Sequence, residues 1–221
     1  MMRYIDELCE RRDVLKNIKE DIVKAYETIK DTYRNDKKLF ICGNGGSAAD
    51  SSHITGELMK GFKKNRIIDD RFCEKLKETI EDYMDKNKNV DARLKFNEMQ
   101  NNLEVGLPTI DVTSFTALNT AFANDKNFLY AYANVVLGLG KKGDALLSIS
   151  TSGNSENIVN TTLVARALGM KTIALSGFNG GKLFDIADIS IVVPINETYL
   201  VQEEHIAIYH AICLDLEEEF F

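Results

Sequence analysis

Short apolar runs that stop abruptly at glycine or serine, each followed by a helical period, constrain this chain more than any other feature. In the second half Ala145 to Ile149 reads as a strand, Ser150 to Ser155 as a turn of small residues, and Glu156 to Leu168 as a helix closed by Gly169. Lys171 to Leu175 is a further strand, followed by Ser176-Gly177 and Gly180-Gly181. Ile189 to Val193 is the last strand, ended by Pro194, and a helix from about Thr198 to Phe221 finishes the chain. The first half carries the same rhythm. Lys38 to Cys42 is an apolar run stopped by Gly43-Asn44-Gly45-Gly46, and a helix is predicted from about Ser47 to Phe62. Pro108 to Thr113 is the next strand, and Thr116 to Leu137 is helical with an interruption near Asn124. Strands alternating with helices imply a parallel sheet covered on both faces. With right-handed crossovers the expectation is a doubly wound, five-stranded parallel α/β sheet flanked by helices, a three-layer flavodoxin-like sandwich.

Two stretches stand outside that rhythm. Residues 1–35 read as one helix, with Leu8, Val14, Leu15, Ile18, Ile22, Ala25, Tyr26 and Ile29 on an apolar stripe. Residues 65–105 are polar, with helical spacing of Phe72, Leu76, Ile80 and Tyr83 and again of Leu94, Phe96, Met99 and Leu103. They read as two amphipathic helices joined by Asp85 to Val90, an insertion into a single domain of residues 1–221.

Charge and composition narrow the partners. A net charge of −7 argues against the broad basic surface that nucleic acid requires. Lys60, Lys63, Lys64 and Arg66 read as a solvated helix end. The four cysteines (Cys9, Cys42, Cys73, Cys213) show no CxxC spacing, and Cys42 and Cys213 lie in apolar surroundings, which suits a reducing compartment. Met1 to Asp13 lacks the apolar core of a signal peptide, and no run approaches the roughly 18 apolar residues of a membrane span. The expectation is a soluble, cytoplasmic protein without nucleic-acid or membrane partners.

Ligands of doubly wound sheets collect where strand ends become helix N-termini. Two loops have the composition for it. In Cys42-Gly43-Asn44-Gly45-Gly46-Ser47-Ala48-Ala49-Asp50 the glycines admit close backbone approach, Asn44 and Ser47 add polar side chains, and the following helix offers unpaired N–H groups. Gly43, Gly45 and Ala48 also satisfy the dinucleotide pattern G-x-G-x-x-A. That pattern needs a strand and an acidic residue about 20 positions on. The next strand here lies some 60 residues downstream, so dinucleotide binding is set aside. Ser150-Thr151-Ser152-Gly153-Asn154-Ser155 offers more hydroxyls than one helix cap uses. Hydroxyls and backbone N–H groups without Lys or Arg suit a phosphate monoester.

C-G-N-G-G-S-A-A-D followed by His53 and Glu57, then I-S-T-S-G-N-S, then Gln202 and His210, resembles the sugar isomerase (SIS) domain, and within it the phosphoheptose isomerases. The resemblance covers about 36–62 and 106–221. It implies aldose–ketose isomerisation of a phosphorylated sugar, most specifically sedoheptulose 7-phosphate, through an enediol. It implies that Ser47, Ser150, Thr151, Ser152 and Ser155 hold the phosphate, and that Asn44, Gly45, Gly46, Asn124, Asp125 and Gln202 line the substrate site. Glu57 and His210 become the acid/base pair. His53, Glu57, Gln202 and His210 become ligands of a divalent metal, zinc in some members. It implies a homotetramer, or at least a homodimer, with which the apolar positions Ile206, Ile208, Ile212, Leu214 and Leu216 are compatible.

Spacing agrees with these roles. His53 and Glu57, four apart on a helix, share a face, and Gln202 and His210, eight apart, lie about two turns apart and in line. His205, one turn from Gln202, reads as a further polar neighbour or an exposed residue. The likeness departs at Ser114-Phe115-Thr116, where the family often has an Asp. That change, which places Phe115 at the Asp position, keeps open an isomerase of another ketose phosphate; a second alternative of a different class is a non-catalytic phosphosugar sensor or protein-binding regulator.

Overall fold

The computed structural model describes residues 2–87 and 91–221. Its elements are α1 (Arg3–Arg11), α2 (Lys19–Arg34), β1 (Leu39–Cys42), α3 (Gly46–Met59), α4 (Asp70–Asn87), α5 (Ala92–Asn102), β2 (Thr109–Asp111), α6 (Thr116–Asp125), α7 (Ala131–Leu139), β3 (Ala145–Ile149), α8 (Glu156–Ala167), β4 (Lys171–Gly177), α9 (Gly181–Ile186), β5 (Ile189–Val193) and α10 (Thr198–Phe220). The five strands pair in parallel in the order β2-β1-β3-β4-β5. The expected doubly wound sheet is the one observed.

Both faces of the sheet are covered, and the strands show why their sequences lack alternation. Leu39 and Ile41 join one core with Leu147, Ile149, Ile173 and Leu175 and with side chains of α1, α2, α3 and α10. Phe40 and Cys42 join Leu146 and Ala174 in a second core under α7, α8 and α9. The strand order reverses at β1 and β3, so the crevice of this fold opens between the ends of those two strands. The loops after β1 and β3 are the two glycine- and serine-rich loops.

Three elements differ from expectation. The first 35 residues form two helices, not one. The chain turns extended at Arg12, whose guanidinium pairs with Glu204 of α10 at 2.5 Å, and passes through a 3₁₀ turn, Asp13–Ile18, before α2. Asp215 of α10 accepts the Tyr4 and Ile5 N–H groups (3.0 and 2.9 Å), fixing the start of α1 against the last helix. The β2 strand stops at Asp111, because its carboxylate takes the Thr113 N–H and a 3₁₀ turn follows. Finally, α9 is a short helix the sequence did not announce. The two helices expected in residues 65–105 are α4 and α5; Asp85 to Asn87 of the expected linker belong to α4, and Lys88 to Val90 lie outside the described residues. The stem of that segment is zipped by an antiparallel bridge, Ile67 to Glu104, and by Val105 N–H donating to Arg66 O at 2.8 Å.

Candidate active site

The loop after β1 ends at Gly46, the first residue of α3. A Cβ there would collide with the Gln202 Nε2 of α10, so glycine at 46 is what lets the first turn of α10 close over the start of α3. In the loop after β3, Gly153 has φ +65°, and a Cβ would strike the carbonyl of Gly180. Only glycine combines that backbone with that contact. Ser150 and Ser155 hydroxyls lie 3.1 Å apart, and Ser155 stands at the N-cap of α8 without its hydroxyl capping the helix. Ser152 Oγ accepts the Asn154 N–H at 3.2 Å. Thr151, Ser152, Asn154, Phe178, Asn179, Asn196 and Thr198 line an open cleft of about 360 Å³ beside them.

The two loops are tied to each other. Asn44 and Asn157 exchange a pair of amide hydrogen bonds, 2.7 and 2.8 Å, across the switch point. Asn157 is buried in the first turn of α8. It was not anticipated; a polar residue just past a serine loop is equally at home exposed, and only the fold brings it to Asn44.

Beyond the loops, α3 presents Asp50, His53 and Glu57 on one face, and α10 presents Tyr209 and His210 towards it. His53 Nε2 lies 3.3 Å from Glu57 Oε1, and the His53 and His210 rings stand edge to face with centroids 5.0 Å apart. The Glu57 carboxylate also receives Lys60 Nζ at 3.3 Å. Behind His53, its Nδ1 sits 2.9 Å from the Tyr209 hydroxyl, which donates to Asp50 Oδ1 at 3.3 Å. Burial pushes the Asp50 carboxyl up, against the Tyr209 hydrogen bond and the nearby His53. Burial, together with His53, pushes His210 down from its ordinary value, against the opposing pull of Glu57, so the imidazole is neutral at pH 7. Asp50 was legible, since 50, 53 and 57 follow helical spacing.

The site residues are therefore gathered unequally. Asn44, Gly45, Gly46 and Ser47 lie at the start of α3, with Gln202 against them, and Ser150, Thr151, Ser152 and Ser155 lie across the crevice. His53, Glu57 and His210 converge further along α3. Asn124 and Asp125 bond to each other at the exposed end of α6, and no hydrogen bond among the described residues joins them to either loop. Two expectations about neighbouring residues are corrected. His205 is completely buried, its Nε2 3.2 Å from the Ser176 carbonyl, because α10 packs that face onto β4. Arg66 is no solvated helix end: it is buried and paired with Glu217, while Lys63 stays exposed. Phe115 packs on the core beside Leu118 and Phe122. A carboxylate nevertheless stands at the end of β2, where Asp111 accepts the Ser52 hydroxyl of α3 at 2.6 Å.

His210 Nε2 is buried with no hydrogen-bond partner. An unsatisfied nitrogen on an imidazole that packs against a second imidazole, itself paired with a carboxylate, fits a divalent cation chemically. Among the described residues, however, no three His, Cys, Asp or Glu side chains stand in a ready-made metal-binding arrangement.

Comparison with known proteins follows the same lines. Residues 3–102 and 91–177 match the model of the SIS domain. The chain is 36% identical over 206 residues to the phosphoheptose isomerase of Aliarcobacter butzleri, covering 93% of this chain and 89% of that protein. It is 35% identical to the phosphoheptose isomerase of a Nitratiruptor species over the whole of both chains. The solved phosphoheptose isomerase of Neisseria gonorrhoeae aligns with a TM-score of 0.72 at 29% identity, over 96% of this chain and 94% of that one. That of Francisella tularensis aligns at 0.70 and 29%, over 90% and 86%.

Proposed function

The chain belongs to the SIS domain family, and from that membership we propose that the crevice between β1 and β3 isomerises a heptose phosphate between its ketose and aldose forms. The observation that carries the reading is positional. His53 lies six residues beyond Ser47 on α3, about 9 Å at 1.5 Å per residue, with Glu57 a turn further. A phosphate held at the loops then leaves its reacting carbons at the far end of a long sugar, which suits sedoheptulose 7-phosphate better than a triose phosphate.

The hydroxyls of Ser47, Ser150, Thr151, Ser152 and Ser155, with the N–H groups opening α3 and α8, hold the phosphate without a basic side chain. Asn44, fixed by Asn157, and Gln202, seated on Gly46, orient the sugar chain. Glu57 takes the proton from the carbon beside the carbonyl and returns it to the adjacent carbon, giving an enediol between the two transfers. His210, neutral at pH 7, accepts a proton from one oxygen and donates it to the other. His53, Glu57, Gln202 and His210 are the residues that would hold zinc or a similar divalent ion, which supplies polarisation of the two sugar oxygens when bound. The four cysteines are free and buried, as a reducing cytoplasm would leave them, and assembly into a homotetramer is part of the same proposal.

The purified protein, incubated with a panel of ketose phosphates that includes sedoheptulose 7-phosphate and followed by NMR, is expected to form the corresponding aldose. Glu57→Gln and His210→Ala are each expected to stay folded and to lose at least about 100-fold in kcat. Near-native turnover in either variant removes that residue from the acid/base pair. Chelation that changes neither metal content nor activity removes the metal. Tight binding of the sugar phosphates with no turnover on any of them points instead to a sensor.

A further inference from the structure

Where α3 ends, its carbonyls have no helical partners, and the residue after the helix, Lys60, is already extended. Together with the Leu107 N–H, which donates to Leu58 O at 2.9 Å, the buried guanidinium of Arg66 fills that gap. Its Nη1 donates to Leu58 O at 2.7 Å and its Nη2 to Glu57 O at 3.2 Å, while Nε donates to Glu217 Oε1 at 3.0 Å. Glu217 comes from α10, two turns beyond His210. Its carboxylate also accepts the backbone N–H groups of Phe62 and Lys63, both at 2.7 Å, and of Lys64 at 3.1 Å. The Phe221 ring closes over the guanidinium, 4.5 Å from its carbon. Burial alone would push the Glu217 carboxyl up, yet the three N–H groups and Arg66 hold it below its usual range, so the pair is ionised at neutral pH.

We propose that Arg66, held by Glu217, is a positioning residue for the isomerisation: it fixes the last turn of α3, and with it the Glu57 carboxylate, against the helix that carries His210. The inference rests on the reading of Glu57 as the base. A buried ion pair adds little net stability over apolar residues of the same size, so stability alone does not account for this one. What distinguishes it is where its donors point. Two meet the backbone carbonyls of Glu57 and Leu58 in the last turn of α3, that of Glu57 itself among them, and the third meets the opposite helix. A displacement of about 1 Å of a reacting group costs on the order of 100-fold in rate.

Two variants test this. Arg66→Lys keeps a positive charge opposite Glu217 but cannot reach both carbonyls and the carboxylate together. The double replacement Arg66→Met with Glu217→Leu removes both charges at once, so neither is left buried and unpaired. Each is expected to give native circular dichroism, a KM within about threefold of wild type, and a kcat lower by about 10- to 100-fold. In the Glu57→Gln background, Arg66→Lys is expected to add no further loss, because the group it positions is gone. A general loosening of the site would raise KM and would add to Glu57→Gln. Either folded variant with wild-type kcat beside an inactive Glu57→Gln overturns the positioning role alone. A fully active Glu57→Gln overturns the base assignment and the positioning role with it.

Discussion

His205 lies three residues beyond Gln202, completely buried, with Nε2 bonded to the Ser176 carbonyl and Nδ1 without a partner. Burial pushes its pKa down to about 4, with the Ser176 carbonyl opposing only in part. An unfolded chain protonates this histidine near pH 6.5 while the folded protein keeps it neutral, so the unfolded state binds more protons between about 6.5 and 4. Stability contributed by the neutral ring is thus complete above about pH 6.5 and lost on acidification, by up to about 3 kcal/mol at pH 4. Asp50 and Asp215, whose burial raises them, work in the opposite direction, and Glu217 works with His205. The difference between wild type and His205→Gln cancels those shared contributions. Denaturant titrations at pH 7, 5.5 and 4.5 should show the wild type losing more stability than the variant as pH falls. Parallel losses in the two proteins would remove His205 as the cause. At this scale the pairing of His53 with Glu57 was readable from a four-residue spacing. The burial of His205 and Arg66 was not, because a charged or polar letter carries no mark of the partner that another helix supplies.

Elements were more legible than residues, for a physical reason. Strands covered on both faces need apolar side chains at every position, and the run ends where glycine or serine lets the chain turn, so β1, β3 and β5 were read almost to their ends. The break between α1 and α2 was hidden because the apolar stripe continues on both sides of Arg12, and the Glu204 contact that bends the chain comes from 192 residues away. The two helices of residues 65–105 were legible by their polar, amphipathic spacing, and their energetics follow from the same fact. Among the described residues, neither hydrophobic core includes a residue of α4 or α5, and α5 buries none of its side chains. The stem, by contrast, is tied at Ile67, Glu104 and Val105, with Glu104 Oε2 accepting the Gly61 N–H at 3.0 Å. Replacing residues 69–102 with a short glycine-rich turn is expected to leave a folded protein whose thermal midpoint moves by no more than about 4 °C. An insoluble or unfolded product would mean that the hairpin stabilises the domain rather than riding on it.

At the scale of the molecule, large apolar side chains stand exposed on neighbouring elements of a chain of net charge −7. Leu129, Tyr130, Leu137 and Leu163, on the turn before α7 and on α7 and α8, are exposed, Leu137 by 60%. Exposed apolar patches of this kind mark contact surfaces more often than they are left in water. The crevice itself is open, and among the described residues no hydrogen bond joins Asn124 or Asp125, at the end of α6, to either loop. The proposed assembly, with the site completed between subunits, would account for both observations. Light scattering at micromolar concentration is then expected to give about 99 kDa, four copies of the 24.8-kDa chain, at the wild-type sequence. Leu137→Lys, which places a charge at an exposed position of α7, is expected to shift that mass downward and to lower kcat/KM at least about tenfold while the fold persists. A wild-type monomer with full turnover would separate catalysis from assembly and return the whole of the site to the single crevice between β1 and β3.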